Sequence, residues 1–365
     1  MVKISGIRLG ILALRQLAKQ QSIMTMNTNS SIWVTSSALF FLLLCSFPLE
    51  AFKSSDSNLR DSCKNLYKLE IELLETTDRQ RLLSLTDEYL NYSASCIEQL
   101  PRILQSVVNI IISHSLEDEK LKKRVEDLLI EFGKLNGDRL NEFLGRLYVF
   151  SQYSAEKKEI GVSLLEKSAR NGEINSHYLL ATYYHRIANY ELAGKHYKFA
   201  ANANHLEARL MLNQMKMYSL ITSGAWESIY HEFSSLAVIE KYPKASYFLY
   251  KLYSEFSEGR EFMSEEQAIA HLKAAAQANI EDALFSLGSY YFSLFAETDD
   301  VRYIELAYQN IYKSHKLGLT KAAHSLGLIS LVAGDKDSAC GYFEVSIIQG
   351  YGKSKPKYDE FCEDR

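Results

Sequence analysis

Apolar positions recur at helical spacing along most of the chain. Across residues 264–294, Ala268, Leu272 and Ala275 fall on one helix face. Ala283, Leu284, Leu287, Gly288 and Tyr291 line a second face, with Asn279 between the two helices. Ser264 with Gln267 three positions on predicts a capping box, and Glu265 and Glu266 suit the first turn. Two such amphipathic helices cannot bury their stripes alone, so the pair must stack on neighbours.

The pattern repeats. A small residue is followed eight positions later by another small residue and twelve later by an aliphatic one. The series runs Ser168/Ser176/Leu180, Ala200/Ala208/Leu212, Ala237/Ala245/Leu249, Ala275/Ala283/Leu287 and Ser314/Ala322/Leu326, and ends at Ser346/Ser354. Successive first members, here called anchors, are 32, 37, 38, 39 and 32 residues apart. Four positions after the anchors stand Gly172, Asn204, Lys241, Asn279, Gly318 and Gly350. Five of the six are Gly or Asn, the residues that tolerate a left-handed turn at a helix end.

Residues 57–155 are also helical in pattern but show no clean repeat. Leu66, Leu69, Leu73 and Leu74 make one stripe, and Leu121, Val125, Leu128, Leu129 and Phe132 another. The expected fold class is all-α, an α-solenoid of antiparallel helix pairs behind an amino-terminal helical cap. The domain expectation is a signal segment over 1–51, a helical region over 52–155, repeats over 156–352 and a tail over 353–365. Only four prolines occur, Pro48, Pro101, Pro243 and Pro356, which suits an all-helical chain.

Lys273-Ala274-Ala275-Ala276 before Ala283-Leu284-Phe285-Ser286-Leu287-Gly288 resembles the Sel-one-like repeats, longer-period relatives of tetratricopeptide repeats. Lys313-Ser314-His315-Lys316-Leu317-Gly318 before Ala322-Ala323-His324-Ser325-Leu326-Gly327 repeats the likeness. The family's glycine is matched at Gly288 and Gly327 and replaced at Ala181, Asn213 and Tyr250. Ala275, Ala283, Leu287, Gly288, Tyr291, Ala322, Leu326 and Gly327 are the expected repeat core. The resemblance implies scaffold or adaptor duties toward a protein partner, often at bacterial envelopes. It also admits a regulator of, or enzyme acting on, cell-envelope peptidoglycan, and a host-interaction or virulence role. In that family the aromatic sixteen after the anchor is largely packing, which assigns Tyr184, Tyr253 and Tyr291 to the core. Their neighbours on the second helices, Tyr183, Tyr247 and Tyr290, point about 100° away and are the candidate partner contacts.

The amino terminus has a different pattern. Lys3, Arg8, Arg15 and Lys19 precede an apolar run from Ile32 to Phe47, followed by Pro48 and Ala51. That order predicts a secretory signal cleaved near Ala51, with an uncleaved anchor as the alternative, and hence a periplasmic or secreted protein. The 365-residue chain carries −4, and the part after residue 51 carries −7. Neither value offers the basic footprint of a nucleic-acid binder. Four of the five cysteines lie after the signal: Cys63, Cys96, Cys340 and Cys362. An even number in an exported chain predicts disulfides; three pairings are open, and proximity favours Cys63–Cys96 and Cys340–Cys362.

No catalytic constellation stands out, so no enzyme activity, cofactor or metal is expected. The nine histidines form no H-E-x-x-H motif; His177 and His185, eight apart, share a helix face. Two S-x-x-K tetrads, Ser154–Lys157 and Ser354–Lys357, lack the companion elements of penicillin-recognising enzymes. Lys120, Lys122, Lys123 and Arg124 alternate with acids and suggest an exposed helix face.

Overall fold

The computed structural model describes residues 68–362, apart from 70–71, 74–75, 77, 92–99, 115, 137–139 and 222–224. The expected signal segment, Cys63 and Cys96 lie outside the described residues. Those described form sixteen α-helices and no strand. None of these helices is long and apolar enough to cross a membrane. The chain divides into two compact units at Thr222 and Ser223, inside the stretch expected to be one run of repeats.

The first unit begins with α1 (Arg79–Asn91), α2 (Leu100–Ser113), α3 (Glu119–Asn136) and α4 (Leu140–Phe150). Its core gathers Leu82, Leu85, Leu90, Ile103, Leu104, Val107, Val125, Leu129 and Leu147. One expectation fails here. Lys122 is not on an exposed face but only 2% exposed. Its ammonium donates to Glu119 Oε1 at 2.8 Å and to the Gln152 carbonyl at 3.0 Å, and sits 4.9 Å from the Tyr153 ring centre. Partners that replace its hydration shell make that burial tolerable, and charge alternation in a sequence cannot reveal them.

Two hairpins complete this unit: α5 (Ala155–Arg170) with α6 (Ile174–Arg186), and α7 (Tyr190–Asn202) with α8 (Leu206–Met217). The second unit holds α9 (Trp226–Ser234), α10 (Pro243–Glu255), α11 (Glu265–Gln277), α12 (Glu281–Thr298), α13 (Val301–Lys316), α14 (Thr320–Val332), α15 (Lys336–Ile348) and α16 (Ser354–Cys362). Pro243 opens α10, where its missing N–H costs nothing. Ser264 and Gln267 form the expected capping box at α11. Residues 354–362, expected to be part of a tail, are helical.

All six positions four after an anchor have positive φ: Gly172 (+93°), Asn204 (+62°), Lys241 (+51°), Asn279 (+58°), Gly318 (+97°) and Gly350 (+82°). In five hairpins the anchor carbonyl accepts the N–H five residues on: Ser168 from Glu173, Ala200 from His205, Ala275 from Ile280, Ser314 from Leu319 and Ser346 from Tyr351. This 6→1 bond satisfies a helix-end carbonyl and holds the left-handed residue in place. The two small residues then meet at the hairpin's base. Ser176 donates to Ser168 Oγ at 2.8 Å, and Ala275 and Ala283 are fully buried.

The remaining hairpin departs from the expected register. Residues Ser235–Ile239 are π-helical, and the Tyr242 N–H reaches back to the Leu236 carbonyl rather than to that of Ala237. Leu236 is fully buried and Ala237 half-buried. One extra residue in the last turn displaces the anchor by one position, which spacing alone does not show.

The second helices pack on the first helix of the next pair through close contacts. A Cβ on Gly288 would stand 2.4 Å from Ile311 Cγ1 and 3.0 Å from the Ala307 carbonyl. Gly288→Ala is therefore expected to destabilise the second unit by about 1–3 kcal/mol through overpacking. Gly341→Ala, where a Cβ meets nothing within 4 Å, should instead stabilise by roughly 0.5–1 kcal/mol. Urea unfolding of the two variants beside the parent chain checks both signs.

Candidate interaction surfaces

Ala275, Ala283, Ala322 and Leu326 are fully buried, Leu287 is 6% exposed, Gly288 and Gly327 are buried, and Tyr291 is half-buried. The tyrosines of the second unit then form a row. Tyr247 and Tyr250 on α10 stack with ring centres 6.4 Å apart. On α12, Tyr290 and Tyr291 are 5.8 Å apart, and Tyr291 stacks on Tyr303 of α13 at 6.3 Å. All five are half-buried. Burial, then neighbouring carboxylates, raises the phenol pKa at Tyr247, Tyr250 and Tyr290, so these stay neutral hydrogen-bond donors at pH 7.

The three candidate contact tyrosines are not equivalent. Tyr247 shares a hydrogen bond with Ser286 Oγ at 3.3 Å, and the Lys251 ammonium lies 5.9 Å from its ring centre. Its polar tip is thus engaged within the unit. Tyr290 and Tyr183 have no such hydroxyl partner among the described residues and keep amphipathic rings at the surface. Tyr183 stands edge-on to Tyr184 at 5.4 Å.

In the first unit two histidines meet across a hairpin. His177 faces His196 of α7, not His185: the two Nδ1 atoms are 3.0 Å apart. The His177 ring stacks on Phe199 at 3.8 Å, and that of His196 on Tyr184 at 5.7 Å. The 5.2 Å separation of the imidazole centres equals the nitrogen contact plus one ring radius on each side. The nitrogens therefore point straight at each other, as a shared proton requires; a shared ion would need lone pairs converging at an angle. Burial lowers the pKa of both imidazoles. No group of three or more metal-ligating side chains occurs among the described residues.

Both S-x-x-K serines have structural work. Ser154 caps α5, its Oγ accepting from the Lys157 N–H at 3.3 Å. Ser354 is fully buried, donates to Ser346 Oγ at 2.7 Å and lies 2.9 Å from His324 Nδ1. No substrate reaches an oxygen so placed. The same helix, α16, is joined to α15 by a disulfide between Cys340 and Cys362, whose Cα atoms are 5.8 Å apart.

No family model and no curated protein matches the chain. Solved structures do. A Sel1 repeat protein from Oxalobacter formigenes aligns over 92% of this chain and 96% of its own, with 17% identity and a TM-score of 0.50. A protective antigen present in uropathogenic Escherichia coli strains, displaying an SLR fold, aligns over 83% of this chain and 73% of its own, with 16% identity and a TM-score of 0.51. The helix pairs, the small-residue hairpin bases and these alignments agree: the chain has the fold of the Sel1-like repeat proteins.

Proposed function

We propose that this chain is an exported, non-catalytic scaffold that holds a protein partner against the tyrosines of its second helices. The observation that carries the reading is the half-buried aromatic row that includes Tyr290, with Tyr183 as its counterpart in the first unit. Tyrosine offers wide contact area at low entropic cost and is enriched where interface energy concentrates. Helical repeats suit this task because stacked pairs present a continuous side-chain surface. Export is supported by the basic-then-apolar amino terminus and by the Cys340–Cys362 bridge, which persists in oxidising compartments. One structural neighbour is itself described as a protective antigen, which accords with an exposed location.

The test is crosslinked affinity capture from the native cell envelope. The full chain should retain a reproducible partner. Tyr290→Ala should weaken that complex about tenfold, the scale of one interface anchor, without moving the thermal transition. Retention of the same partner at full strength by both Tyr290→Ala and Tyr183→Ala would remove the tyrosine rows from the interface.

A further inference from the structure

Resting on that reading, we propose that the tyrosine row of the second unit receives a cationic segment of the partner, one carrying arginine or lysine. The row runs Tyr247, Tyr250, Tyr290, Tyr291, Tyr303 over α10, α12 and the first turn of α13. At one end Tyr247 has a cation of its own, Lys251, 5.9 Å from its ring centre and paired with Glu255 at 3.3 Å. At Tyr290 the charged groups are carboxylates. Glu255 acts on Tyr250, and Glu265 and Glu297 act on Tyr290. Glu265 is exposed, Glu297 is exposed, and neither takes part in an ion pair among the described residues. Elsewhere the molecule supplies its own cations to its tyrosines. Lys157 lies 5.0 Å from the Tyr148 ring centre and 4.6 Å from that of Tyr153, while pairing with Glu126 at 2.7 Å. Arg260 lies 5.8 Å from the ring centre of Tyr253. Tyr290 has the same ingredients, a ring and nearby carboxylates, and among the described residues no cation lies over its ring.

A guanidinium from outside completes that arrangement. It stacks on a phenol face, drawn by the ring quadrupole, and its N–H groups donate to a carboxylate. The negative charge of the chain after residue 51 favours encounter with a basic segment at modest ionic strength.

The probe is a fluorescein-labelled dodecapeptide alternating Arg and Gly, with Glu-Gly and Ser-Gly peptides of equal length, titrated against the full chain at physiological salt. The Arg peptide should bind, and the other two should not. Tyr290→Ala and the pair Glu265→Gln/Glu297→Gln should each weaken it at least fivefold. Glu191→Gln in the first unit should leave it unchanged, and all variants should keep the parent melting curve. Arg-peptide binding that is equal across every variant would reveal only general attraction to an acidic chain and overturn the proposal. Absence of binding would overturn it too. In that case loss of the captured partner with Tyr290→Ala would still stand for the aromatic reading, with an uncharged contact in place of a cation.

Discussion

Leu287→Asp should abolish the cooperative unfolding transition of the second unit. Leu287 is 6% exposed near the middle of α12, one turn after the fully buried Ala283. Removing its apolar burial costs roughly 2–3 kcal/mol. Placing a carboxylate there adds several more, the cost of desolvating a charge at a buried apolar position. The sum, about 4 kcal/mol or more, is comparable with the whole stability of a small domain. Circular dichroism on heating should show the variant losing helix from the second unit while the first still melts cooperatively. Leu287→Met, which conserves volume, should cost less than about 1.5 kcal/mol. An unaltered melting curve for the aspartate variant would mean that the repeat register is wrong.

Acid should loosen α16 through His324. This imidazole is 7% exposed, lies 2.9 Å from Ser354 Oγ, and is flanked by the rings of Phe343 and Tyr351. Burial, with Lys353 and Lys357 adding like charge, pushes its pKa down to about 4 from 6.5. The native state therefore holds His324 neutral in a range where the unfolded chain binds a proton. Stability then rises with pH across that window. The contribution is complete above about pH 6.5 and is lost as pH falls toward 4, about 3 kcal/mol in all. His324→Asn keeps a hydrogen-bonding atom near the Nδ1 position but does not titrate. Denaturant midpoints measured between pH 4 and 7 should fall steeply on the acid side for the parent and less steeply for the variant. Equal slopes would remove His324 from the acid response.

Local grammar was easy to read. The anchors, the left-handed positions and the Ser264 capping box depend on short-range sterics and helix-end hydrogen bonding, which act within about six residues. The features that the local pattern does not encode depend on distant partners. Lys122 is buried because the Gln152 carbonyl and the Tyr153 ring meet it from 30 residues away. His177 meets His196 across a hairpin, nineteen residues away, while His185 lies eight residues on along the same helix. The π-helical turn at Ser235–Ile239 shifts an anchor by one residue while leaving every residue type plausible. The tyrosine row lies between these cases. Tyr247, Tyr290 and Tyr291 stand out in the sequence, but the part of Tyr303, the stacking, and the engagement of Tyr247 by Ser286 need three helices in place.

The Lys241 turn carries a consequence for how far such a chain can drift. A lysine occupies the left-handed position there, where a glycine would be unstrained, and the hairpin still closes through main-chain bonds. The penalty for a side chain in that conformation is about 1–2 kcal/mol per site, which one repeat can absorb from its neighbours. A glycine at this left-handed turn position is thus dispensable in a single repeat, unlike the close-packed Gly288. The same hairpin geometry therefore holds at 16–17% identity to proteins of the same fold, because main-chain bonds rather than particular side chains close each turn.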